Sequence, residues 1–175
     1  YQNWFLKELT GCWTKAISDN LAALGYVSEI GKQRDFYSHY VKPLAGKNSR
    51  AFVIISDALR YEVAAELCDT ITRTTKGTAK LDAVQAVFPS ITKFGMAALL
   101  PGRKLSVNDG MDVLVDEMPT RSTDERGKVL RAANMNSVAV QYTDVLNMKR
   151  AERRELVLSL IHISEPTRLL NISYA

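Results

Sequence analysis

Ala51-Phe52-Val53-Ile54-Ile55-Ser56-Asp57-Ala58-Leu59-Arg60-Tyr61-Glu62 is the stretch on which the reading of this chain turns. Its first half is a short continuous apolar run, rich in β-branched residues and bounded by polar ones. Runs of that kind form strands buried on both faces, as in a parallel sheet. From Ala58 to Ile71 the apolar residues are spaced as in a helix. A strand passing directly into a helix is the building unit of layered α/β folds. An acid placed at once after such a strand stands at the carboxyl edge of the sheet, where open α/β folds build their sites.

Working outward, Leu6, Leu9, Trp13, Ile17, Leu21 and Leu24 recur at helical intervals, and Gly25 closes that helix. Ile30 to Val41 predicts a second, more polar helix ending before Pro43, with Phe36, Tyr37 and Tyr40 as a packing face. Residues 44–50 read as a linker. Downstream, Leu81 to Phe88 alternates as a second strand, and Thr92 to Leu100 makes a short helix stopped by Pro101-Gly102. Met111 to Val115 predicts another short strand. Ser122-Thr123-Asp124-Glu125 is a capping box, opening a helix that should reach about Met135. Ser137 to Tyr142 predicts a further strand, and Asn147 to Val157 a charged surface helix. The sum is an α/β domain over residues 47–157, with a mainly parallel sheet flanked by helices. An N-terminal helical segment, residues 1–46, precedes it, and no internal repeat is present.

The 175 residues, 46% hydrophobic and 24% charged, suffice for one ordinary globular domain. The net charge is +4, but acids and bases are interleaved, which excludes a basic arm for nucleic acid. Specific nucleic-acid binding is therefore not indicated. Cys12 and Cys68 stand in no metal or redox spacing, and no signal segment opens the chain, so a reducing, cytoplasmic location is expected. No apolar run approaches the ~20 residues a membrane helix needs. The first residue is Tyr1 rather than Met, so the natural N-terminus is expected upstream.

Two features carry chemistry. Asp57, at the strand end, either ligates a divalent cation or caps the following helix. In Phe88-Pro89-Ser90-Ile91-Thr92-Lys93-Phe94-Gly95, hydroxyls and free backbone N–H groups gather where a helix begins. That is a seat for an anion or phosphate, and beside a metal the Thr92 hydroxyl could attack phosphorus. Taken alone, this segment reads first as a capping motif. Ser90, Lys93 and Arg60 are candidate substrate-binding groups, although surface solvation also explains the two cations. Glu62 and Glu66, one helical turn apart, read as a solvated face.

Residues Phe52 to Ala64 resemble the first motif of the PglZ family, and Pro89 to Pro101 resemble its second. The similarity extends from about Trp4 through Tyr26-Val27-Ser28-Glu29-Ile30 to Tyr142-Thr143-Asp144-Val145-Leu146-Asn147-Met148-Lys149-Arg150 and on to Glu155. This resemblance implies a partial alkaline-phosphatase-like domain of BREX and Pgl phage-defence systems, the type A form being nearest. It implies Asp57 as first metal ligand, and Thr92 as a metal-contacting nucleophile that forms a covalent phospho-intermediate. Two divalent metal ions, commonly zinc, go with that chemistry. The partners it implies are other BREX-system proteins, including the DNA methyltransferase, and a phosphoester substrate of open class.

The family pattern also requires Asp and His ligands later in the chain, and only two histidines are present. His39 lies in the N-terminal aromatic segment and reads as a surface or packing residue. His162 lies in Leu158-Ser159-Leu160-Ile161-His162-Ile163-Ser164-Glu165-Pro166-Thr167-Arg168, which looks like the translation of a transposon adapter used in sequencing libraries. Residues 158–175 are accordingly expected to be an artefactual tail and His162 no ligand. The chain is then a fragment of a metal-dependent phosphatase or phosphodiesterase, inactive by itself. The competing reading is a non-catalytic interaction module that scaffolds other defence-system proteins, with Asp57 and Thr92 as structural caps.

Overall fold

A computed structural model describes residues 1–45, 50–159 and 170–173. A π-turn, Gln2–Leu6, feeds helix α1, Lys7–Leu24. Gly25 ends it in the left-handed region at φ 73°, its N–H donating to the Leu21 carbonyl at 3.0 Å. Glycine takes that conformation without the steric cost a Cβ brings. The expected apolar stripe is present but largely faces solvent: Leu9, Trp13 and Leu24 are 53%, 52% and 49% exposed.

The second N-terminal helix is built differently from the expectation. A 3-10 turn, Gln33–Asp35, a π-turn, Tyr37–Val41, and the short helix α2, Lys42–Ala45, follow one another. Helical backbone therefore runs through Pro43 instead of stopping before it. A proline ring lacks the N–H and clashes with the carbonyl four residues back in a regular helix. The wider π-turn just upstream gives the ring room. Phe36 is the packing aromatic, 2% exposed, with its ring centroid 5.6 Å from that of Tyr40.

Strand β1, Phe52–Ile55, forms where the apolar run requires it. Its setting departs from the expectation, because all four residues are exposed rather than buried on both faces. Its partner is β5, Leu170–Ser173, aligned in parallel with Phe52 opposite Leu170. Helix α3, Tyr61–Thr74, starts three positions after Ala58, because residues 57–60 are spent on a turn with Ala58 at φ 59°.

The segment Leu81–Phe88 is no sheet strand: it is held by one parallel bridge, Lys32 with Gln85. Ser137 to Gln141 likewise joins no strand, and Tyr142 opens helix α6, Tyr142–Asn147. Alternation makes both segments extended, but a strand also needs a ladder partner. The surface helix α7 starts late, at Arg150–Ser159.

Between these lie α4, Thr92–Ala98, and an antiparallel ribbon of β2, Leu105–Val107, β3, Val113–Val115, and β4, Met118–Pro119, with β3 central. Helix α5, Thr123–Ala133, follows the capping box as expected: Ser122 Oγ accepts the Glu125 N–H at 3.1 Å, and Glu125 Oε2 accepts the Ser122 N–H at 3.0 Å. The core sits here. Ala97, Val113, Val115 and Val129 are buried together, with Phe94, Leu100, Leu105 and Met118 packed around them. Residues 46–49 of the expected linker, and residues 160–169 with His162, lie outside the described residues.

The β3–β4 turn is Asp116–Glu117, both at positive φ, 48° and 66°. This is the primed geometry that two-residue hairpins favour. Asp116 compensates for its unfavourable backbone: its carboxylate accepts N–H bonds from Lys104 at 2.8 Å and Arg103 at 3.1 Å. Those two donors, Lys104 foremost, hold the Asp116 carboxyl below the usual carboxylate range. A folded value depressed below the unfolded one, about 3.9, means stabilisation present above that pH and lost as pH falls through the folded value. Asp116→Asn is thus expected to lower Tm at neutral pH and to flatten the acid limb of a Tm-against-pH curve. An acid limb of unchanged steepness would speak against this account.

Candidate active site

β1 delivers Asp57 to the site. Immediately after the strand, Asp57 Oδ1 accepts the Ala58 N–H at 3.0 Å while the chain reverses through the left-handed Ala58. From the other side comes the segment after Val87, in which the Ile91 N–H donates to the Pro89 carbonyl at 2.9 Å. Ile91 occupies the cap position of α4 and Thr92 its first turn. Thr92 Oγ1 donates to Asp57 Oδ2 at 3.3 Å. Two junctions 35 positions apart in sequence therefore meet at one exposed point.

Neither residue serves as a helix cap. The cap positions of α3 and α4 are Arg60 and Ile91, and neither helix has a side-chain cap. Stability does not account for the arrangement either. An exposed neutral-to-charged hydrogen bond of this length gives on the order of 1 kcal/mol, while alanine in the left-handed region costs about 1–2 kcal/mol.

The other expected residues scatter. Lys93 Nζ donates to the Met111 carbonyl at 2.8 Å, which directs it to the loop before β3. Arg60 and Ser90 are exposed, and no side-chain hydrogen bond of theirs is formed among the described residues. His39 is exposed, its Nδ1 3.2 Å from the Asp35 carbonyl. Sequence reading missed Gln33, a buried amide that contacts both flanks of the Thr92 turn. The sequence offers no signal for it, because Gln33 stands in the uniformly polar stretch Lys32-Gln33-Arg34-Asp35.

Among the described residues, no group of three or more His, Cys, Asp or Glu is placed to hold a metal ion. Asp57 and Thr92 offer one carboxylate and one hydroxyl, oxygen donors suited to divalent cations. A catalytic metal site draws on roughly three protein ligands per ion. The described donors therefore do not by themselves fit a metal pair.

Residues 36–167 match the model of the BREX system PglZ alkaline phosphatase-like domain. With its helices and small sheets, the chain carries part of an alkaline-phosphatase-like domain. More particularly, it belongs to the PglZ family. It is 35% identical over 156 residues to the alkaline phosphatase-like protein PglZ of Bacillus cereus (strain H3081.97), a match covering 89% of this chain and 18% of that protein. It is 36% identical over 162 residues to the alkaline phosphatase-like protein BrxZ of Escherichia coli O9:H4 (strain HS), covering 90% of this chain and 18% of that protein. The chain thus spans less than a fifth of the length of these curated relatives. No solved structure matches it. No helix among the described residues is long and apolar enough to cross a membrane.

Proposed function

We propose that this chain carries the nucleophile-bearing part of a metal-dependent phosphoryl-ester hydrolase of a BREX phage-defence system. Thr92 is the nucleophile in this reading and Asp57 a metal ligand. The observation that carries it is the contact of Thr92 Oγ1 with Asp57 Oδ2 at 3.3 Å, made beside a strained residue and serving no helix. Strain of that kind concentrates at functional sites.

Thr92 would contribute its oxygen as a new bond to phosphorus while the ester oxygen leaves with its bonding pair. Water then cleaves the phosphothreonine and restores the hydroxyl. Asp57 Oδ2, which accepts the hydroxyl hydrogen bond, would take that proton as the O–P bond forms and pass it through water to the departing ester oxygen, which leaves as an alcohol. Divalent ions, zinc by analogy with the superfamily, would supply charge neutralisation for the phosphoryl group once bound in a full-length protein. Their further ligands would come from parts of a full-length protein outside this segment, so the 175-residue chain alone is inactive on this account. Arg60 and Ser90, exposed at the two junctions, are the groups left to meet the anion. The DNA methyltransferase and other BREX proteins are the proposed partners, in the cytoplasm.

Metal analysis of a full-length protein carrying this segment tests the reading. Stoichiometric zinc is expected, lost in Asp57→Ala with the fold retained. Zinc absent from the parent, or unaffected by the substitution, would favour the scaffolding module instead.

A further inference from the structure

Gln33 is 1% exposed, among the most deeply buried large side chains described. A buried primary amide is costly unless its polar atoms find partners. Here Oε1 accepts the Val87 N–H at 3.1 Å and Nε2 donates to the Gly95 carbonyl at 3.4 Å. The backbone alongside is tied as well. The Gln33 N–H donates to the Gln85 carbonyl at 2.9 Å, and the Gln85 N–H donates to the Gly31 carbonyl at 2.6 Å. Gln85 Oε1 accepts the Val27 N–H at 2.8 Å. Two glutamines thus lace residues 27–33 to residues 85–87.

The two ends of the Gln33 amide land at informative places. Val87 lies just before the turn that carries Ser90 and Thr92, and Gly95 lies just after it, in α4. One side chain from a remote segment therefore spans both flanks of that turn. An N–H only donates and a carbonyl only accepts, so satisfying both needs an acceptor and a donor on one group. Leucine supplies neither. A glutamate carboxylate would accept from Val87 but oppose the Gly95 carbonyl until protonated.

We infer that Gln33 is a positioning residue: its amide clamps Val87 to Gly95 and so holds the turn that keeps Thr92 Oγ1 on Asp57 Oδ2. Its catalytic meaning rests on the proposed role of Thr92, whereas the clamp itself does not.

The test uses the 175-residue chain. In Gln33→Leu, amide exchange at Val87, Ile91, Phe94 and Gly95, whose N–H groups are hydrogen-bonded in the parent, is expected to accelerate about tenfold or more, while α5 keeps its protection. The NMR couplings that report the Thr92 χ1 angle are expected to change from those of one rotamer to an average. Gln33→Glu, nearest in shape, is expected to show both defects while its carboxyl is ionised and to lose them when it is protonated. Should Gln33→Leu not fold, the Gln33→Glu pH series decides alone. Exchange at Val87 and Thr92 couplings that match the parent would overturn the clamp. So would equal loss of protection in α5, which would make Gln33 a general stabiliser. If the clamp holds yet Thr92→Ala leaves ester hydrolysis intact in a full-length protein, the role of Thr92 fails and the clamp stands.

Discussion

Thr92→Ala, in a full-length protein carrying this segment, is expected to reduce phosphoryl-ester turnover by about 1,000-fold or more. The substitution removes the oxygen that would bond to phosphorus, and the nearby Ser90 hydroxyl lies outside α4 and, among the described residues, makes no hydrogen bond to Asp57 as Thr92 does. Thr92→Ser keeps a hydroxyl at the same backbone position and should retain activity to within about tenfold, the loss reflecting a freer rotamer. Stability should change little in either variant, by no more than about 1 kcal/mol, because Thr92 is exposed and its one hydrogen bond to Asp57 is of that order. The pairing of a large kinetic effect with a small thermal one separates a reacting group from a structural one. Turnover by Thr92→Ala at parental rates would remove Thr92 from the mechanism.

Gly102→Ala is expected to destabilise the fold by about 1–3 kcal/mol. Two effects of opposite sign compete. Replacing glycine by alanine reduces the freedom of the unfolded chain and on that ground stabilises by about 0.4–1 kcal/mol. Against it, a Cβ on Gly102 would run into Cγ1 of Val115. Val115 is 2% exposed, sits in β3 and belongs to the core cluster, so it has little room to yield. The clash wins. In thermal unfolding the variant should melt several degrees lower, on the order of 4 °C for each kcal/mol. Gly11, in mid-helix with nothing near its Cβ position, makes the matched control: there the same change should stabilise by up to about 1 kcal/mol. A Gly102→Ala protein as stable as the parent would mean the ribbon adjusts more freely than its burial implies.

Several elements were legible because their signals are local. Gly25 ends α1, Ser122 and Glu125 open α5, and the Phe52–Ile55 run forms β1, each through residues adjacent in sequence. Strands β2 and β4 were not: β4 has only two residues, one of them Pro119, and β2 lacks the continuous apolar run that marked β3. The turn between β3 and β4 was hidden too, because Asp116 and Glu117 are not the Asn-Gly pair that usually marks it. Leu81–Phe88 had the alternation of a strand without a ladder to join. At the site, position relative to strand and helix marked Asp57 and Thr92, yet spacing could not show that the two meet or that the cap positions fall to Arg60 and Ile91 instead. Lys93 looked like part of the same constellation and is turned to Met111 instead. Gln33 was silent because a clamp made by one amide has no sequence period.

The uncovered stripe on the first helix also governs what optical spectroscopy can report. Both tryptophans of the chain, Trp4 and Trp13, lie at this N-terminal end and are mostly in water, 75% and 52% exposed. Neither belongs to the cluster of Ala97, Val113, Val115 and Val129. Their emission is therefore that of solvated indole in the native protein and shifts little when the core melts. Indole fluorescence follows events at the first helix, such as a partner or another part of a longer protein settling on it, while loss of the core has to be read from circular dichroism or calorimetry. The two ends of the molecule can thus be monitored separately in one sample.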